Sequence, residues 1–188
     1  MSKENYHNRF IKFNACVIIP TYNNQTTISG VINHVLEYTD HIIVVNDGST
    51  DETSQILSDY NNIQIIQYPT NKGKGFAIRE GFKKALETGY EQAITIDADG
   101  QHYADDLPLF IDKVAECPGS LIIGSRNIEA DGMPAKNTFA NRFSNFWFKL
   151  ETGINLPDTQ SGYRLYPLIA YQKTRFVTRK YEFEIEIL

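Results

Sequence analysis

The sequence predicts an α/β protein, a single domain built on a mostly parallel sheet with helices on both faces. Two observations lead to this class. Five short apolar runs of strand length recur along the 188 residues, and segments with helical spacing separate them. Strands that alternate with helices form βαβ units, whose right-handed crossovers place helices on both faces of a parallel sheet.

The strands are predicted from continuous apolar stretches, which are typical of strands covered on both faces. They fall at residues 14–20, 41–46, 63–68, 92–97 and 120–125. Between the first two, Ile28, Val31, Ile32, Val35 and Leu36 share one helical face. Further helices are expected within residues 47–60, with Ser49, Thr50 or Asp51 as the cap, from the NKGKG loop to Glu87, and over residues 104–116.

Composition excludes several classes of protein. The formal net charge of -5 argues against nucleic-acid binding, which usually needs a basic surface. No run approaches the roughly 20 apolar residues of a membrane-spanning helix. Two cysteines, Cys16 and Cys117, are too few for a disulfide framework. We therefore expect both to be small buried side chains in a reducing, cytoplasmic compartment.

The loops that follow the predicted strands are strongly polar. They are PTYNN (20–24), NDGSTDET (46–53), NKGKG (71–75), DADGQH (97–102) and SRN (125–127). In open α/β sheets, ligands bind beyond the carboxyl ends of the strands. The five loops therefore predict a polar crevice along one edge of the sheet.

Asp97 and Asp99 stand two residues apart, so in an extended chain their carboxylates face the same point. Such a pair repels unless a cation or a proton lies between the two groups, and Mg²⁺ suits carboxylates and phosphates. Gln101 is the candidate for a third oxygen ligand. Helix capping and an aspartyl nucleophile are the alternatives. An EF-hand is excluded because His102 and Pro108 stand where it requires Gly and Glu.

The NKGKG loop contains two glycines and two lysines. It does not match the Walker phosphate-binding pattern, because Gly75 follows Lys74 where that pattern has Ser or Thr. Two interpretations stay open, a solvated surface loop and a contact for a nucleotide or phosphate beside the expected cation.

Together these motifs resemble the family-two glycosyltransferases with a GT-A fold, in particular the branch that acts on dolichyl and polyprenyl phosphates. The resemblance is carried by VIIPTYNN, VVNDGSTDET, NKGKGFAIREG, ITIDADGQH, IIGSRN and DTQSGYRLYP, in the family's order from Cys16 to Pro167. It implies a Rossmann-like sheet and one catalytic domain over residues 1–188, with a core at about 14–167.

The resemblance also implies roles for individual residues. The residues expected to bind the nucleotide sugar are Pro20, Thr21, Tyr22, Asn23, Asp47, Gly48, Lys74, Asp97, Ala98 and Arg126. Asp97, Asp99 and Gln101 would hold Mg²⁺ or Mn²⁺ on the diphosphate. Asp158 and Arg164, on the sugar or acceptor side, would join Asp97 and Asp99 in the catalytic set.

The implied reaction is metal-dependent, inverting transfer of a sugar from a UDP- or GDP-sugar to a polyprenyl phosphate. A lipid phosphate is already anionic and needs no general base. The alternative acceptor is a saccharide of cell-wall, capsule or lipopolysaccharide assembly, whose hydroxyl would need a base, with Asp158 and Glu182 as candidates. A non-catalytic sugar-nucleotide-binding paralogue is a further alternative. A nucleotidylyltransferase is disfavoured because PTYNN replaces its Gly-rich, Arg-containing loop.

Two segments bear on membrane contact and on the end of the chain. Residues 133–153 combine Lys136 and Arg142 with several aromatic residues, which fits either peripheral contact with the inner face of a membrane or a core helix. Residues 181–187 alternate apolar and acidic side chains and predict a strand. In the family a similar stretch leads into further helices, so we expect either a small member or a chain that ends early.

Overall fold

The computed structural model describes residues 3–125, 149, 153, 158, 161–174, 178 and 182–187, which build one α/β domain around a six-stranded sheet. The strands are β1 (Ala15–Thr21), β2 (Ile42–Asp47), β3 (Gln64–Tyr68), β4 (Gln92–Thr95), β5 (Ile122–Ile123) and β6 (Arg164–Pro167). The helices are α1 (Lys3–Lys12), α2 (Ile28–Leu36), α3 (Thr53–Leu57), α4 (Lys74–Thr88), α5 (Leu107–Glu116), α6 (Leu168–Gln172) and α7 (Phe183–Glu186). A single turn of 3₁₀ helix, Ala104–Asp106, precedes α5.

The strand order is β3-β2-β1-β4-β6-β5, and β1 to β4 are parallel, as predicted. Strand β6 is antiparallel to both β4 and β5, so β5 runs in the same direction as the first four strands. The carboxyl ends of β1 to β5 therefore meet at one edge of the sheet. The amino end of β6 lies at that edge too, with Arg164 paired to Thr95 of β4.

Helices cover both faces of the sheet, as predicted. Helices α1, α2 and α5 contribute to one apolar layer, which includes Phe10 and Ile32. Helix α4 forms the other layer with α6 and α7, and Phe82 and Phe183 are fully buried there. Strands β1 and β2 are buried along their whole length between these layers, which explains their unbroken apolar sequence.

Several sequence predictions were wrong or incomplete. The predicted strand at residues 181–187 is instead the one-turn helix α7, in which the adjacent residues Phe183 and Glu184 are both buried. Alternating residues would have pointed to opposite faces in a strand, so the period of two in this segment did not reflect its structure. The predictions missed α1 and β6. Cys16 is buried as expected, whereas Cys117 is exposed.

Within the described ranges, no helix has both the length and the apolar character needed to cross a membrane.

Candidate active site

A cleft of about 530 Å³ opens at the edge where the strands end. Its walls come from the loops after β1, β2, β3 and β4, as the sequence predicted. The lining residues are Pro20, Thr21, Tyr22, Asn24, Asp47, Asn71, Gly73, Lys74, Asp97, Ala98 and Asp99. Most of the residues expected to bind a nucleotide sugar are thus brought together in one place.

The loop after β1 is held by its two asparagines. Asn23 adopts a left-handed backbone with φ of 55°. Its amide donates to Ser49 Oγ at 2.9 Å, and its side-chain oxygen accepts from the Thr50 amide at 2.8 Å. Asn23 therefore joins the loops after β1 and β2, while Asn24 lines the cleft. Tyr22, which is 45% exposed, presents its ring at the cleft mouth.

Asp47 shapes the loop after β3. Its carboxylate is buried and accepts hydrogen bonds from the backbone amides of Lys72 at 3.0 Å and Gly73 at 2.7 Å. Gly48 follows with φ of 76°, and a Cβ there would lie within 2.7 Å of the Thr70 and Asn71 backbone. Both residues therefore fix the position of the NKGKG loop, and Asp47 also lines the cleft.

Lys74, the first residue of α4, carries two ion pairs inside the cleft. Its Nζ lies 2.8 Å from Asp97 Oδ1 and 3.1 Å from Glu184 Oε1, and the three side chains are only 19%, 22% and 9% exposed. Burial opposes the charge on Lys74, but the two carboxylates outweigh it and raise the pKa of the ammonium. Burial also raises the pKa of Glu184, although Lys74 acts in the opposite direction.

Two residues of the predicted acceptor motif lie next to this cluster. Gly162 packs against the ion pair so closely that a Cβ would lie 2.6 Å from both Asp97 Oδ2 and Lys74 Nζ. The fully buried Arg164 donates through Nε to the Ser161 carbonyl at 2.6 Å and through Nη1 to the Glu184 carbonyl. These two hydrogen bonds join the segment before β6 to α7, and direct contact of Arg164 with a ligand stays a prediction.

Asp97 and Asp99 both line the cleft, but in different surroundings. Strand β4 ends at Thr95 and the chain turns at Ala98, so the extended geometry expected for the two acids was wrong. Asp97 is held by Lys74, and its Oδ2 lies 3.8 Å from His102 Nε2. Asp99 is exposed, and its Oδ1 accepts from the Gln101 amide at 2.9 Å.

Several predicted residues lie elsewhere. Gln101 lines a neighbouring cavity of about 550 Å³ between α5 and the last strands, not the main cleft. Asp158 is fully buried. Glu182 is exposed, and Glu184 two residues later is the acid that reaches the cleft cluster. Arg126 and residues 133–148 lie outside the described residues.

Sequence reasoning missed Glu184, Asn24, Asn71 and the close approach of Gly162. Asn24 and Asn71 stand inside motifs that were already identified, so the signal for them was present. Glu184 had no such signal, because the predicted strand placed all three glutamates of its segment on one face, and Glu182 was the one considered as a base.

The family model described as Glycosyl transferase family 2 matches residues 16–174, which is most of the chain. The chain belongs to glycosyl transferase family 2. The resemblance drawn from the six motifs is thereby confirmed, and the cleft is the candidate active site of a family-two glycosyltransferase.

Three curated relatives are named as transferases that act on polyprenyl-type lipid phosphates. UDP-N-acetylglucosamine–dolichyl-phosphate N-acetylglucosaminyltransferase of Methanococcus voltae is 34% identical over 170 residues, covering 80% of this chain and 68% of the relative. Polyprenol monophosphomannose synthase of Mycolicibacterium smegmatis is 32% identical over 161 residues, covering 80% and 60%. Undecaprenyl-phosphate mannosyltransferase of Micrococcus luteus is 28% identical over 183 residues, covering 90% and 74%. The chain thus spans only part of the length of each relative.

Solved structures of this fold include glucosyl-3-phosphoglycerate synthase of Mycobacterium tuberculosis. Its complex with UDP matches with a TM-score of 0.73 at 20% identity, covering 98% of this chain and 67% of the synthase. Its complex with Mn²⁺ and UDP-glucose matches with a TM-score of 0.70 at 20% identity. The likeness confirms the GT-A fold of this family-two domain.

Proposed function

We propose that this domain transfers a sugar from a nucleotide diphosphate sugar to a polyprenyl phosphate, with inversion at the anomeric carbon and with a divalent cation. The observation that carries the proposal is the cleft, where one ammonium, Lys74, and two carboxylates, Asp97 and Asp99, line a single space of about 530 Å³. Such a site offers a cationic contact for a diphosphate and oxygen ligands for the divalent cation that would accompany it.

The donor would lie across the loops after β1 to β4. Tyr22 offers an exposed ring for the base, and Asp47 lines the part of the cleft proposed for the ribose, beside the backbone of Gly73. Lys74 would contact the anionic diphosphate from the start of α4. Pro20, Thr21 and Ala98 form further parts of the walls, and Arg126 is assigned to the phosphates from the sequence motif alone.

The residues present fit a divalent cation of the Mg²⁺ or Mn²⁺ kind. Asp99 is exposed at the cleft with one carboxylate oxygen engaged by the Gln101 amide, and Asp97 lies two residues away. Mg²⁺ typically takes one or two carboxylates and completes its shell with water and substrate phosphates, so a third protein ligand is not required. When bound, such an ion stabilises the negative charge that grows on the leaving diphosphate. The role of Gln101 as a ligand stays a proposal without geometric support.

The acceptor is proposed from the names of the relatives and from charge. An acceptor phosphate oxygen is already anionic, so it attacks the anomeric carbon without a base, forming a carbon–oxygen bond as the bond to the diphosphate breaks. Attack from the face opposite the leaving group gives inversion. A lipid acceptor requires contact with a membrane surface, and residues 133–153 are the proposed site of that contact.

Donor binding is tested with the full chain by thermal denaturation, using UDP and GDP, each with and without Mn²⁺. A ligand that binds only the folded state stabilises it, by about 2.7 kcal/mol at one hundred times its Kd. We expect one nucleotide to raise the Tm only when Mn²⁺ is present. Asp99→Ala should abolish the shift, and Asp59→Ala, at an exposed acid outside the cleft lining, should leave it unchanged. No shift with either nucleotide would refute the proposal.

Acceptor class is tested by radiolabel transfer from UDP- and GDP-sugars to undecaprenyl phosphate in detergent micelles. We expect label in the organic extract. Label that appears only in a water-soluble saccharide fraction would contradict the lipid acceptor and leave the donor site intact.

A further inference from the structure

Lys74 has two carboxylate partners that come from distant parts of the chain. Asp97 follows β4, and Glu184 lies in the one-turn helix α7. Both carboxylates face the same Nζ, at 2.8 Å and 3.1 Å. A single carboxylate would suffice to neutralise the ammonium, so the presence of a second one needs an explanation.

Asp97 has two competing roles. It holds Lys74 through Oδ1, yet it is one of the two carboxylates that would bind a cation in the cleft. A divalent cation on Asp97 would lie within a few ångström of the ammonium, and two positive charges so close repel strongly in a partly buried site. Lys74 therefore has to move away from Asp97 when the cation binds.

Glu184 is placed to receive Lys74. Its carboxylate is buried, and Oε1 makes no hydrogen bond within the described residues although it lies 3.1 Å from Nζ. The contact is thus a second ion pair of the same ammonium, slightly longer than the one with Asp97. If Nζ leaves Asp97, Glu184 therefore remains within reach as its acidic partner.

The position of Glu184 is itself fixed. Its neighbour Phe183 is fully buried in the layer formed by α4, and Arg164 holds the Glu184 carbonyl. On the same side, Arg79 of α4 donates to the Thr178 carbonyl at 2.9 Å. The backbone that carries the Glu184 carboxylate is therefore anchored, whereas Lys74 has the longer and more flexible side chain, so we take Lys74 as the partner that moves.

We propose that Glu184 is a positioning residue that takes over the Lys74 ammonium and thereby releases Asp97 for the cation. This rests on the cation site of the proposed function and assigns to the C-terminal helix α7 a part in preparing that site. Lys74, held by Glu184, stays in the cleft to meet the diphosphate.

The test measures Mn²⁺ binding by the full chain, with the free ion quantified by electron paramagnetic resonance, with and without UDP. Glu184→Gln leaves Asp97 as the sole acidic partner of Lys74, so Mn²⁺ should bind about tenfold more weakly, which corresponds to about 1.4 kcal/mol. Glu184→Asp keeps the charge but shortens the reach, and it should weaken binding in the same way. Lys74→Met removes the competitor and should tighten binding.

The double variant Lys74→Met/Glu184→Gln shows whether Glu184 affects Mn²⁺ binding through its contact with Lys74 or only through the long-range effect of its charge. With Lys74 absent, the Glu184 change should alter the Mn²⁺ dissociation constant less than twofold, because its effect acts through the lysine. Glu87→Gln makes the same change at an exposed position of α4 and should match the wild type. Thermal melts of each variant confirm that it is folded, and Glu184→Asp serves where a lost charge impairs folding.

Two results would overturn the inference. Equal weakening by Glu184→Gln in both backgrounds would mean that the glutamate acts only through its long-range field, and wild-type binding by Glu184→Asp would mean the same. If the wild type itself binds neither Mn²⁺ nor UDP, the proposed function fails, and the inference fails with it. If the wild type binds both and the variants match it, only the inference fails.

Discussion

Gly162 lies against the ion pair of Lys74 and Asp97 with no room for a side chain. We predict that Gly162→Ala separates the pair, because the new Cβ would lie 2.6 Å from Nζ and from Oδ2. The cost should be about 1–3 kcal/mol in the free energy of unfolding, with loss of the UDP-dependent rise in Tm. Urea denaturation and thermal shift measure the two effects.

Gly30 provides the matched control. It lies inside α2, and a Cβ there would meet nothing within 4 Å. Gly30→Ala should stabilise the fold by about 0.5–1 kcal/mol, because alanine restricts the unfolded chain and favours helix. Equal behaviour of the two variants would contradict the role given to Gly162.

Tyr68 allows a test by pH at a single residue. Burial, together with a 2.7 Å hydrogen bond to Glu80 Oε2, raises the pKa of its phenol to about 12. The raised pKa means that this stabilisation is present below pH 10 and is lost as pH rises through about 12. In Glu80→Gln the phenol should titrate at lower pH, as observed by ¹³C-tyrosine NMR. Glu87→Gln on the same helix should leave the titration unchanged.

Residue types at strand ends revealed most of the cleft in the sequence. Asp47, Asp97 and Asp99 were found because polar residues directly after buried strands have few structural explanations. Glu184 was not found, since its role depends on the docking of α7 against α4. That packing places Glu184 Oε1 3.1 Å from Lys74 Nζ, and no pattern in the local sequence predicts this contact.

At the scale of elements, the C-terminal helix α7 contributes both to the stability of the fold and to the candidate site. Phe183 is fully buried, with its ring centroid 6.4 Å from that of Phe82. Phe183→Ala should cost about 3–5 kcal/mol through the cavity that it leaves. It should also weaken Mn²⁺ and UDP binding, because Glu184 follows directly in the same turn.

Ile185 in the same helix is 48% exposed and provides the control for that prediction. Ile185→Ala should change the free energy of unfolding by less than about 1 kcal/mol and leave binding intact. Calorimetry and thermal shift compare the two variants. Loss of stability in Phe183→Ala without any loss of binding would separate α7 from the site.

The accuracy of prediction differed among elements for physical reasons. Strands β1 and β2 are buried on both faces, so their apolar runs were unambiguous. Strand β6 has only four residues and begins with a buried arginine, a residue type that rarely lies in a core. Helix α1 is mostly polar, and its attachment through Phe10 and an ion pair between Arg9 and Asp112 depends on tertiary contact.

At the scale of the whole molecule, ligand binding should slow amide hydrogen exchange by different amounts in different parts of the fold. Hydrogen exchange with UDP and Mn²⁺ at one hundred times the Kd should slow at the amides of Lys72, Gly73 and Gln101 by up to about a hundredfold. These amides already bind the cleft carboxylates Asp47 and Asp99. Amides of α1, which lies outside the cleft lining, should exchange at an unchanged rate if exchange occurs by local unfolding. Uniform slowing of all amides would indicate that exchange occurs by global unfolding instead.

The antiparallel insertion of β6 also sets the order in which the molecule can assemble. During synthesis, β1 to β4 can pair as they leave the ribosome, since β2, β3 and β4 each have a partner earlier in the chain. Strand β5 pairs only with β6 among the described residues, so a nascent chain carries it with an open edge until residue 164 has been made. Such long-range pairing is slow and exposes the intermediate to aggregation. The Lys74 cluster, to which Gly162 and Glu184 contribute, is completed last, so an unfinished chain has the loops of the cleft before it has this cluster.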